Sequence, residues 1–128
     1  MTNIAPAAEE MAEMVREDHL RIAVLLDTIE DELAESKPIS EKIAELRMEY
    51  DAHAIREEQA LAAFHPDLLE PHRLGHDRMR ALLGQLSVVH DYGGDIAPLL
   101  AQVVGMFTGQ LMPADTVFTA RPRPSAAP

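Results

Sequence analysis

Apolar residues recur at alternating intervals of four and three along most of this chain, and proline and glycine divide the pattern into four stretches. The first, from about Ala7 to Glu35, carries the stripe Val15, His19, Ile22, Leu26, Ile29 and Leu33, which is the spacing of one face of an α-helix. Pro38 stops it. Ser40, a residue suited to capping, opens the second stretch, whose stripe is Ile43, Leu46, Tyr50, His53, Glu57, Leu61 and Phe64. His65 and Pro66 end it. The third opens at Asp67, with Glu70 three residues later in the manner of a capping box and Pro71 in the first turn. Its stripe is His72, His76, Met79, Leu83, Leu86 and His90, and Gly93 and Gly94 break it. Asp95 can cap the fourth, which places Ile96, Leu100, Val103, Phe107 and Gln110 on its inner face.

Few segments alternate with period two. Four long amphipathic helices joined by short loops predict an all-α, up-down-up-down four-helix bundle. One domain is expected over residues 1–120, followed by a disordered tail over residues 121–128.

Composition narrows the chemistry. Hydrophobic residues make up 47% of the 128, enough for a real core. There is no cysteine, so any metal must be held by imidazole and carboxylate. The net charge of −11 argues against a nucleic-acid partner, because no basic patch gathers the scattered Arg73, Arg78 and Arg80. Residues 1–10 lack the charged and apolar regions of a signal peptide, and no apolar run approaches a membrane span. The expectation is a soluble, cytoplasmic protein with no membrane partner.

The anomaly lies inside the stripes. His19, His53, Glu57, His72 and His76 all occupy inward positions. Buried polar groups are costly unless paired, hydrogen-bonded or bound to metal. A lone inward histidine is ordinary; five such groups on three helices are harder to explain as core. Their spacing is also chemical, since His53-x-x-x-Glu57 and His72-x-x-x-His76 are i, i+4 pairs. That spacing puts two donors on one helix face, about 6 Å apart along the axis. Imidazole with carboxylate suits iron, manganese or zinc. His65 reads as a loop residue, and His90 lies about 21 Å along the helix from His76, too far to share a metal.

In these residues the chain resembles the hemerythrin family. That family has a histidine on helix one, His-x-x-x-Glu on helix two, His-x-x-x-His on helix three and His-x-x-x-x-Asp on helix four. Here the counterparts are His19, His53 with Glu57, His72 with His76, and Asp115, while Gln110 stands at the position of the helix-four histidine. The resemblance covers roughly residues 15–118, and Glu58 and Thr116-Val117-Phe118 add to it. It implies two non-haem irons bridged by Glu57, Asp115 and a solvent oxygen. His19 and His53 would hold the iron that keeps an open position for dioxygen, and His72 and His76 would hold the other.

Gln110 changes that expectation. An amide is a much poorer iron ligand than imidazole, so the second iron would be undersaturated and metal less firmly retained. Turnover of oxygen, peroxide or nitric oxide, or sensing, then gains over long-lived oxygen carriage. Tyr50 is a further candidate, three residues before His53: a phenolate ligand, or a packed core tyrosine near the site. Gln110 and Asp115 are five apart, about 140° around a regular helix. Either the helix carries an extra residue there, as in a π-bulge beside Gly109 and Pro113, or Pro113 ends it and leaves Asp115 in a loop.

The leading reading is a di-iron protein that binds dioxygen or related small species. The alternatives are an enzyme that consumes peroxide or nitric oxide, an iron-storing or sensing bundle, and a zinc or mixed-metal bundle. The sequence does not identify a redox partner.

Overall fold

A computed structural model describes residues 4–111, with side chains over residues 9–109. Four α-helices occupy them: α1 (Ile4–Ala34), α2 (Ser40–Phe64), α3 (Leu69–Asp91) and α4 (Ala97–Met106). A 3₁₀ turn at Pro66–Leu68 leads into α3, and a π-helical turn at Phe107–Leu111 continues α4. Among the described residues there is no strand, so the all-α expectation holds.

The helices pack in register, layer by layer. Ile22, Leu26, Leu46, Tyr50, Met79, Leu83, Val103 and Phe107 meet in one place and leave no room for a water molecule. Positions rise along α1 while they fall along α2, rise along α3 and fall along α4, which is the up-down-up-down order. Ile29, Ile43, Leu86 and Ile96 extend the same core towards the other end. These are the stripe positions, and all of them are buried. Each such side chain contributes about 1.5–3 kcal/mol by leaving water. Leu33, Phe64, His72 and His90 sit at stripe ends and are half-buried.

The helix ends follow local chemistry. After α1, Ser36 takes a left-handed φ of 57°; its amide donates to the Leu33 carbonyl and the Lys37 amide to that of Glu32. After α3, Gly93 does the same at φ 74°, with the Gly93 amide on His90 and the Gly94 amide on Val89. Both are Schellman closures, which satisfy carbonyls that the helix leaves without partners. Just ahead of α4 the Asp95 carboxylate accepts from the Ala97 amide at 3.0 Å, one residue before the cap position, which Ile96 occupies without a side-chain cap.

Two other expected caps are absent. Ser40 lies inside α2, preceded by Ile39, and no side chain caps this helix. The Ser40 hydroxyl lies instead 3.0 Å from Nε2 of His90, at the end of the bundle remote from His76. Asp67 falls in the 3₁₀ turn, so α3 starts two residues later without a side-chain cap. Glu70 pairs with Arg73 rather than closing a capping box. Pro66 accounts for the shift, because it starts a tight turn of its own ahead of the helix.

The widened turn on helix four is present at Phe107–Leu111. A turn of this kind carries one extra residue relative to a regular helix. The Gln110 side chain, Asp115 and the tail lie outside the described residues.

Candidate metal centre

Directly above the layer of Ile22, Tyr50, Met79 and Phe107, the core changes from apolar to polar. Helix geometry puts His19 one turn from Val15 and Ile22, His53 and Glu57 one and two turns beyond Tyr50, and His76 one turn before Met79. Glu57 is 0% exposed, and His53 and His76 are each 2% exposed. His19 is 9% exposed, and the His72 side chain likewise. A carboxylate sealed this completely carries a large desolvation cost unless cationic or donor groups face it.

The other four of the five inward polar residues are arranged around that carboxylate. Oε2 of Glu57 lies 3.1 Å from His53 Nε2, and Oε1 lies 3.1 Å from His76 Nε2 and 4.0 Å from His72 Nε2. The two oxygens of one side chain thus face different helices. His19 joins on the Oε2 side, with its ring 5.2 Å from that of His53. Among the described residues, His19, His53 and Glu57 form the one set of three that each bring a donor atom within 4.8 Å of the others. The floor is closed by rings: Phe107 meets His19 edge-on at 5.7 Å, and Tyr50 lies 5.9 Å from His53 and 6.0 Å from His76. Tyr50 is 1% exposed and belongs to the core layer beneath the histidines.

What orients the imidazoles is a set of acceptors behind them. Nδ1 of His53 lies 3.1 Å from Oδ2 of Asp18, Nδ1 of His76 lies 2.8 Å from Oε2 of Glu58, and Nδ1 of His72 lies 3.0 Å from the Leu68 carbonyl. A carbonyl or an ionised carboxylate can only accept, so each Nδ1 carries the proton and donates. In the neutral ring Nε2 then carries a lone pair facing the carboxylate of Glu57, and in the protonated ring it donates to that carboxylate, the 3.1 Å contact of His76 Nε2 with Oε1 being a hydrogen-bond distance. A neutral ring and a carboxylate facing each other at this distance repel unless a cation stands between them. Oε2 of Glu57, moreover, is buried and accepts no hydrogen bond among the described residues. The donor set therefore fits a cation: imidazole nitrogens and carboxylate oxygens without thiolate, the ligands of iron, manganese or zinc.

Asp18 was not evident from sequence. It precedes His19 and is 1% exposed, on the flank of α1 that faces α2. Arg56 reaches it through Nη2 at 2.6 Å and Nε at 3.2 Å, and Arg21 through Nη2 at 2.6 Å. Burial alone would raise its pKa, but the hydrogen bonds from His53, Arg56 and Arg21 outweigh burial and hold the carboxyl well below the usual carboxylate range. It is thus a fixed anion behind His53. The available signal was Arg21 at i+3 and Arg56 three residues beyond His53, which place two cations beside one acidic position. Glu58 follows Glu57 on α2. It carries Arg73 at 3.5 Å and Arg80 at 3.9 Å, and is 19% exposed. Arg80 also holds Asp51 and Asp77.

Among the described residues, no helix is long and apolar enough to cross a membrane. Searches of curated proteins and of solved structures return no match. The hemerythrin HHE cation-binding domain does match, over residues 10–113, which takes in most of α1, all of α2 to α4, the π-helical turn and every histidine described above. On that match, and with the all-α bundle and the histidine–glutamate cluster in place, the chain belongs to the hemerythrin HHE cation-binding family.

Proposed function

We propose that this protein holds a pair of iron ions on either side of Glu57 and uses them to bind dioxygen or a related small species such as peroxide or nitric oxide. The observation that carries this reading is the division of one buried carboxylate between two sets of histidines, with Oε2 towards His53 and Oε1 towards His76 and His72. A carboxylate used in this way suits two cations better than one. His19 and His53 would hold the first ion, and His72 and His76 the second, with Asp115 as a further bridge. When bound, a reduced iron pair supplies electrons and an open coordination position for a small ligand.

The chain's own residues would supply the setting. Asp18, Glu58 and the Leu68 carbonyl fix the imidazole tautomers, so that Nε2 is the donor without rearrangement. Phe107 and Tyr50 close the floor and exclude water from below. Glu57 contributes negative charge that offsets that of the ions in a dry site. Gln110, in place of an imidazole, should weaken retention of a bound small ligand, which favours turnover over carriage. Replacing it with histidine should lengthen the life of an oxygenated species.

The test is metal analysis of protein loaded with ferrous iron without oxygen, followed by optical spectra of its oxidised and reduced forms. About two irons per chain, with the near-ultraviolet bands of a bridged ferric pair that respond to oxygen, are expected. A colourless protein that takes up zinc and releases iron would refute the iron reading.

A further inference from the structure

The two sides of Glu57 are built differently. On the Oε2 side, His19, His53 and Glu57 already converge, with donor atoms within 4.8 Å of one another. The support of His53 is sealed: Asp18, itself 1% exposed, holds His53 Nδ1 and is clamped by Arg56 and Arg21. On the Oε1 side the ligands are more spread. His72 Nε2 stands 4.0 Å from Glu57, and the His72 and His76 rings are 6.4 Å apart, against 5.2 Å for His19 and His53. The carboxylate behind His76 is Glu58, which is 19% exposed and lies within reach of Arg73 and Arg80 as well. Ligands held in place before the ion arrives lose less freedom on binding it, and so bind it more tightly.

From this asymmetry we infer that the two cation positions are unequal and fill in order, the His19–His53–Glu57 position first and the His72–His76 position second, with Asp18 as the positioning residue that sets the difference. This rests on the two-cation reading above. It adds that a state with one ion, on the α1 side, is stable at low metal supply, and that the ion on the α3 side is the one gained and lost as supply changes.

The test is titration of the metal-free protein with cobalt(II), followed by calorimetry and by the visible bands of the bound ion. The wild type should show two steps, the first at least tenfold tighter. His72→Ala should keep the first step within about threefold and lose the second. His19→Ala should lose the tighter step. Asp18→Asn should weaken the first step by about 10–100-fold, the usual effect of removing a residue that orients a ligand, and leave the second unchanged. Helical circular dichroism of each metal-free variant confirms that the comparison is between folded proteins. His19 and His72 are chosen because they are the least buried of the histidines around Glu57. Two steps of equal affinity, or loss of the tighter step in His72→Ala in place of His19→Ala, would overturn the inference and leave the two-cation reading standing. No cobalt bound by folded wild type would overturn both.

Discussion

Oδ2 of Asp18 lies 3.1 Å from Nδ1 of His53, and the two side chains are 1% and 2% exposed. A buried anion so placed decides which imidazole nitrogen carries the proton, and hence which one meets a metal. It also ties α1 to α2 through Arg56, a contact that operates whether or not an ion is bound.

Asp18→Asn should therefore lower the stability of the metal-free protein. The amide keeps the shape but leaves Arg56 and the His53 donor with a weaker acceptor, a loss of about 1–3 kcal/mol for a buried group. Urea unfolding of metal-free protein measures it. A change below about 0.5 kcal/mol would mean that the clamp is structurally idle.

Glu58→Gln should cost the metal-free protein less, under about 1 kcal/mol, because Glu58 is more exposed and its arginines have other partners in Glu70, Asp51 and Asp77. The same urea experiment orders the two variants. A larger loss for Glu58→Gln than for Asp18→Asn would reverse the ranking of the two supports.

Leu86→Ala, in a core layer remote from the histidines around Glu57, should destabilise the fold by about 2–5 kcal/mol, as expected for a large-to-small change at a fully buried position. Below its melting transition it should still bind the same number of ions as wild type. A changed stoichiometry in folded Leu86→Ala would show that scaffold and site are not separable in this way.

The two helix ends at Ser36 and Gly93 give substitutions of opposite sign. Both positions are left-handed, which costs a side chain about 1–2 kcal/mol. Gly93→Ala should destabilise by about 1 kcal/mol. Ser36→Gly should stabilise by about 0.5 kcal/mol, since relief of the strained serine is partly offset by a freer unfolded chain. Thermal melts of the two variants decide this, and a loss of stability in Ser36→Gly would contradict it.

Periodicity made the bundle legible, because each stripe from Val15 to Phe107 is the face that a 3.6-residue repeat must bury. The polar cluster was legible for the complementary reason: His19, His53, Glu57 and His76 interrupt those stripes at one level. A π-helical turn beside Gly109 was one of the two local structures open to this stretch, and Phe107–Leu111 adopts it. Asp18 escaped because its role depends on the distance between α1 and α2. An acidic residue on a helix flank looks solvated until a neighbouring helix brings Arg56 and His53 against it. The caps at Ser40 and Asp67 failed more locally: a polar residue near a helix start can cap, enter the helix or form a preceding turn, and Pro66 together with the pull of His90 on Ser40 settled those choices.

In the proposed function the two oxygens of Glu57 serve two cations. Counting tightly held ions in Glu57→Gln, which keeps the shape but removes the charge and one of the two oxygens, probes this directly. Against two ions for wild type, the variant should retain at most one after gel filtration. If folded Glu57→Gln still retained both, Glu57 would not be the bridge, and the central claim would be wrong.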